Sequence, residues 1–194
     1  MTHDQPVLRL ATIDDVAAID ALMKASIAVI FPNFYNEAQT ASSVKYIGSV
    51  DRTLIEDGTY FVLEADGEIV ACGGWSRRDK LYTGSGEAAS DVRLLDAATE
   101  PARVRAMFVR GDWTRRGLGT RILEACESAA KGEGFRTLAL VATLPGVLLY
   151  ERYGFVASGD VPVTMPDGTT VAAVAMEKPV EKAVLAEDRH RDPT

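Results

Sequence analysis

Arg103–Lys131 reads RVRAMFVRGDWTRRGLGTRILEACESAAK, and this stretch decides the fold. Its first part alternates. Val104, Ala106 and Phe108 point to one side, and Arg105, Met107 and Val109 to the other, which is the period of a strand. A short turn spans Arg110–Trp113. Arg115, Arg116, Gly117 and Gly119 come next, and from Leu118 the period becomes helical. Leu118, Ile122, Cys126 and Ala129 fall on one stripe, with Leu123 and Ala130 beside it. A strand therefore feeds a glycine-rich turn, and the turn opens a helix.

That junction has a specific chemistry. A helix start exposes unpaired N–H groups at the positive end of the dipole, and glycines let a bulky anion approach the main chain. Together they make a phosphate cradle. Arg103–Arg121 holds six arginines against one acid, Asp112, in a chain of net charge −7. Such a local reversal points to an anionic ligand. The plainer alternative is a solvated arginine cluster beside an ordinary turn. A dinucleotide fingerprint needs a third glycine where Ile122 stands, and a Walker loop needs Gly-Lys-Ser/Thr, which is absent.

The run Thr114-Arg115-Arg116-Gly117-Leu118-Gly119 resembles motif A of the GCN5-related N-acetyltransferases (GNAT), Gln/Arg-x-x-Gly-x-Gly/Ala. Thr114 stands where that family has Gln or Arg. The resemblance implies that the main chain of Arg115, Arg116, Gly117, Leu118, Gly119 and Thr120 holds the pyrophosphate of acetyl-coenzyme A. It also implies that Met107, Phe108 and Val109 border its pantetheine arm. The fold it implies is α/β (α+β): a mixed, mostly antiparallel central sheet of about six to seven strands, an ordinary sheet size, flanked by helices.

Tyr150-Glu151-Arg152-Tyr153-Gly154-Phe155 resembles the family's Tyr-x-x-x-Gly-Phe segment. By that resemblance Tyr150 is the general acid that protonates the departing thiolate. The ordering is reasonable for a phenol of pKa about 10 and a thiolate of about 8.5. The alternative is a tyrosine packing its ring at a helix end. Tyr153, nearly a turn away, is read as structural. Where the family often has Asn and Ala, this chain has Thr143 and Gly146.

The rest of the chain fits that order. Val7–Ala11 reads as a strand, and Thr12 caps a helix that reaches Ile30, before Pro32. Glu37–Ile47 reads as a second helix. Thr59–Glu64 and Glu68–Trp75 flank an Asp66-Gly67 hairpin turn. Ser76–Pro101 reads as a polar excursion with a short helix over Asp91–Leu95, either functional or disordered. Thr137–Ala142 is an apolar strand. Pro145 opens a helix that Gly154 ends. Phe155 begins another strand, and Asp167-Gly168 turns a last hairpin between Val161–Thr164 and Thr170–Met176. Residues 1–178 are expected to form one acetyltransferase domain, and 179–194 a polar tail, frayed beyond Ala186.

Composition narrows the function. Apolar residues make up 47% and charged residues 25%, as in ordinary globular chains. The acidic balance argues against nucleic acid. No long apolar run or secretory leader is visible, so no membrane is expected. Cys72 and Cys126 read as reduced core residues of a cytoplasmic protein. The histidines, His3 and His190, sit near the termini, which disfavours Ser-His or Cys-His chemistry. No spacing suggests a metal.

The leading expectation is transfer of acetyl from acetyl-CoA, as co-substrate, to the primary amine of a small molecule or peptide; a homodimer is compatible with it. Acidic charge with Phe31, Phe34 and Tyr35 points to a small cationic or amphipathic amine. The base is left open among Glu87, Asp79, Glu64 and water. The alternative function is a non-catalytic acyl-CoA-binding regulatory module. A flavodoxin-like nucleotide binder is disfavoured by the hairpins.

Overall fold

A computed structural model describes residues 5–80 and 93–180. The strands are β1 (Val7–Leu10), β2 (Tyr60–Ala65), β3 (Glu68–Ser76), β4 (Ala102–Val109), β5 (Thr137–Thr143), β6 (Val156–Thr164) and β7 (Thr170–Pro179). The helices are α1 (Val16–Ile30), α2 (Glu37–Tyr46), α3 (Arg52–Glu56), α4 (Leu118–Gly132) and α5 (Val147–Tyr153). The strands form one seven-stranded sheet in the order β1-β2-β3-β4-β5-β7-β6. Only β4 and β5 run parallel; every other neighbour pair is antiparallel. The mostly antiparallel sheet expected from the sequence is therefore the one found.

The helices divide between the two faces. On one, Ile122, Leu123 and Cys126 of α4 pack with Leu63, Trp75, Val104 and Leu138. On the other, Ile19, Leu22 and Met23 of α1 and Leu54 of α3 pack with Tyr60, Val62 and Cys72. A third cluster joins Ile27, Phe31 and Tyr35 to Val163, Met165 and Val171. α3 is too short to show a hydrophobic period. Its start is instead marked by Asp51, whose Oδ1 accepts from the Thr53 amide at 3.1 Å.

Two sequence expectations are corrected. The simple alternation along β4 fails, because Gly74 pairs with Arg105 and Cys72 with Phe108, so Gly73 faces both Ala106 and Met107. This is a β-bulge, and Ala106 takes φ 52° to make it. The extra residue reverses the parity beyond it. Val104 shares the α4 face with Met107 and Val109, while Ala106 and Phe108 pack on the α1 face. The buried Tyr60 hydroxyl donates to the Ala106 carbonyl at 2.6 Å and pins the bulge. The second correction concerns the short helix expected over Asp91–Leu95. Leu94 forms a bridge with Arg78 instead, and Asp91 lies outside the described residues.

Candidate functional site

Pairing of β4 with β5 is confined to Ala102 with Leu138 and Arg103 with Ala139. Beyond Arg103 the two parallel strands part. A cavity of about 580 Å³ occupies the gap and takes its walls from both faces of the sheet. On one face they come from Trp113, Arg115, Gly117–Thr120, Leu149 and Tyr150; on the other, from Met23, Ser26, Ile30, Phe31 and Phe108. Buried Ser26 donates to the Val109 carbonyl at 2.9 Å and ties α1 to the end of β4. Tyr35 holds the opposite rim: its hydroxyl donates to the Ala172 carbonyl at 2.7 Å and accepts from the Leu144 amide at 2.8 Å.

The glycine-rich turn sits at the mouth. Arg115 has φ 63° and Gly117 φ 77°, so the chain turns through left-handed positions just before α4. A Cβ on Gly117 would meet nothing within 4 Å, so the main chain there stays open to a bulky group. Left-handed residues at a helix start aim amides outward, which suits phosphate oxygens. Gly119 differs: a Cβ there would lie 2.8 Å from Leu149 Cδ2, so this glycine serves the approach of α5 to α4.

The arginine excess is smaller than it reads. Arg103 pairs with Asp79 at 2.8 Å, Arg105 with Asp51 at 3.1 Å, and Arg110 with both Glu68 and Asp112 at 2.7 Å. Arg115 lines the cavity, whereas Arg116 lies over the Trp113 ring at 4.6 Å and does not. The remaining expected positions, Met107, Phe108, Val109, Gly117, Leu118, Gly119, Thr120 and Tyr150, all line it.

Tyr150 stands on the cavity wall. Its ring meets Phe155 edge-on at 5.8 Å, and Gly146 leaves it room, since a Cβ there would lie 2.9 Å from Tyr150 Cε2. Its hydroxyl has no hydrogen-bond partner among the described residues, and burial pushes the phenol up. Tyr153 points elsewhere and donates to Glu127 Oε2 at 2.7 Å. Two of the carboxylates considered as bases are engaged away from the cavity. Glu64 holds Arg9 at 2.8 Å, and Asp79 holds Arg93 and Arg103. Glu87, His3, His190 and the tail beyond Ala186 lie outside the described residues.

Ser26, Ile47 and Val163, which the sequence did not mark, also line the cavity, as do Phe31 of the aromatic cluster and Thr143 and Arg152 at and beside the second motif. Ser26, Ile47 and Val163 come from elements far apart in the chain, and none stands in a motif.

The sheet thus opens between two central parallel strands, with a glycine-rich helix start on one side and a tyrosine helix on the other. Residues 56–157, just over half of the chain, match the family model described as the acetyltransferase (GNAT) domain, and the chain belongs to that family. Solved structures agree in fold. A GCN5-related N-acetyltransferase from Rhodopseudomonas palustris superimposes with TM-score 0.69 at 20% identity, covering 92% of this chain and 98% of that one. The PaiA N-acetyltransferase of Thermoplasma acidophilum, in complex with coenzyme A, gives 0.60 at 15%, covering 90% and 98%. The ribosomal-protein-S18-alanine N-acetyltransferase of Escherichia coli gives 0.56 at 19%, covering 93% and 97%.

Proposed function

We propose that this protein is an N-acetyltransferase that moves the acetyl group of acetyl-CoA to a primary amine. The observation that carries the reading is the single cavity joining the open turn at Gly117 to Tyr150 through the gap between β4 and β5. In this reading the main chain of Arg115–Thr120 holds the pyrophosphate, with Arg116 contributing charge from its seat on Trp113. Met107, Phe108 and Val109 present a strand edge to an extended arm. Positioning of this kind can supply much of a rate enhancement. Tyr150 donates to the sulfur as charge develops there. Because burial disfavours the phenolate, the hydroxyl stays protonated across the neutral range and is always loaded as a donor.

The reading takes residues 1–178 as one acetyltransferase domain and 179–194 as a tail; the end of β7 at Pro179 supports that boundary. The acceptor is a small-molecule or peptide amine, with neither nucleic acid nor membrane as partner. Among the described residues no helix is long and apolar enough to cross a membrane. Free, buried Cys72 and Cys126 support a cytoplasmic setting. Sedimentation would decide whether the chain forms a homodimer. The test of function is thiol release from acetyl-CoA across a panel of amines, with calorimetric titration of acetyl-CoA in parallel. Binding without release for every amine would instead make the chain a regulatory acyl-CoA-binding module.

A further inference from the structure

The two halves of the cavity differ in chemistry. The half on the α4 face carries Arg115 and the open main chain at Gly117. The half on the α1 face is walled by Met23, Ile30, Phe31, Ile47, Val141 and Val163. Its hydroxyls are those of Ser26 and Thr143, and Ser26 already donates to Val109. Among the described residues, the charged side chains lining the cavity are Arg105, Arg115 and Arg152, all cationic, and the other titratable group is Tyr150. Arg105 is 5% exposed and pairs with Asp51 Oδ2 at 3.1 Å. The same oxygen takes Lys80 at 3.2 Å, and Asp51 is not part of the cavity wall.

An alkylammonium entering the α1 half would shed its hydration against apolar walls and meet no carboxylate among the described lining residues. That uncompensated desolvation disfavours the protonated form and lowers the pKa of a bound amine. The neutral amine is also the nucleophile. Building on the acetyltransferase reading, we propose that the site takes an apolar primary amine as its free base, deprotonated in solvent before it binds. The wall then does by selection what a carboxylate base would do by abstraction. The step balances: the amine nitrogen forms the C–N bond as the C–S bond breaks. The nitrogen sheds one proton to solvent, Tyr150 gives one to the thiolate, and solvent reloads Tyr150. Of the cationic or amphipathic amine that acidic charge and the Phe31, Phe34 and Tyr35 cluster suggested, this favours the amphipathic one, because bulk charge resides on the surface and not on this wall.

The test uses the wild-type chain, acetyl-CoA and three acceptors, n-hexylamine, leucine amide and spermidine, from pH 6 to 11. Log kcat/KM should climb with unit slope and break at the acceptor's own pKa. That break falls near pH 8 for an α-amino group and about 10.4 for an alkylamine. At pH 7 the neutral fractions of those two groups differ roughly 300-fold. Spermidine, with further charges to desolvate, should fall at least about 100-fold below hexylamine. Ile30→Glu, checked for folding by circular dichroism, should raise spermidine relative to hexylamine. A break at one pH for both amines, spermidine equal to hexylamine, or a folded Ile30→Glu with unchanged preference would each overturn the inference while leaving acetyl transfer intact. Absence of thiol release with every amine would remove the acetyltransferase reading and this inference with it.

Discussion

Tyr150 and Tyr153 lie within one helical turn of each other on α5, and the structure separates their tasks sharply enough to test. Tyr150→Phe removes a hydroxyl that has no partner among the described residues and keeps the ring against Phe155 at 5.8 Å. The change in stability should therefore stay within about 0.5 kcal/mol. If that hydroxyl serves the leaving thiolate, kcat should fall roughly 100-fold, or about 2.7 kcal/mol of barrier. The affinity for acetyl-CoA should hold, because the hydroxyl matters mainly as charge develops on sulfur. Tyr153→Phe should behave in the opposite way. It loses a donor to Glu127 Oε2 at 2.7 Å, although Lys178 still holds Oε1 at 2.6 Å. A hydrogen bond to a charged group contributes about 1.5–3 kcal/mol, and partial exposure favours the lower end. Tm should drop by about 3–6 °C with kcat nearly unchanged. Steady-state thiol release and a calorimetric melt on both variants decide the matter. A slow but stable Tyr153→Phe beside an active Tyr150→Phe would refute the assignment. If Tyr150→Phe is slow only because it unfolds, the tyrosine is a packing residue.

Further outcomes follow from the same geometry. Because burial raises the Tyr150 phenol above its ordinary value of about 10, kcat should persist on the alkaline side past the pH at which a free phenol ionises. Tyr60→Phe leaves the part-buried Ala106 carbonyl without this donor, so Tm should fall by an amount corresponding to about 1–3 kcal/mol, and titration should find weaker acetyl-CoA binding as the bulge relaxes. Gly117→Val forces a branched side chain to φ 77° and should cost about 1–3 kcal/mol and loosen acetyl-CoA. Gly119→Val should weaken binding through a different route, by pushing on Leu149 and shifting α5, with a similar loss of Tm. Asp51→Asn removes the carboxylate that pairs with both Lys80 and buried Arg105, for an expected loss of about 3–5 kcal/mol in a denaturant melt. Burial alone would raise the Asp51 carboxyl, but Arg105 and Lys80 outweigh it and hold the group below the ordinary carboxylate value. Its contribution is therefore present above that value and lost as pH falls through the folded one; the acid limb of a Tm–pH curve should flatten in the variant.

What the sequence determined by itself is whatever depends on neighbours along the chain. The period change at Leu118, the Asp66-Gly67 and Asp167-Gly168 turns, Pro145 and Gly154 each act within a few residues, and the elements they delimit are those found. The open turn at Gly117 was legible for the same reason, since a helix start and its glycine are local. Tertiary structure alone decided the bulge. Alternation along β4 is locally consistent, and the extra residue at Ala106 exists because Tyr60 and the β3 register hold it there. It also decided the charge of the site: acids brought from the N-cap of α3, from β3 and from the segment after it pair with Arg105, Arg110 and Arg103. Apart from Phe31, the apolar wall, made by Met23, Ile30, Ile47, Val141 and Val163, was invisible in the chain. Those residues look like ordinary core until β4 and β5 part and leave them facing a cavity, because apolar side chains carry no mark of whether protein or ligand will cover them.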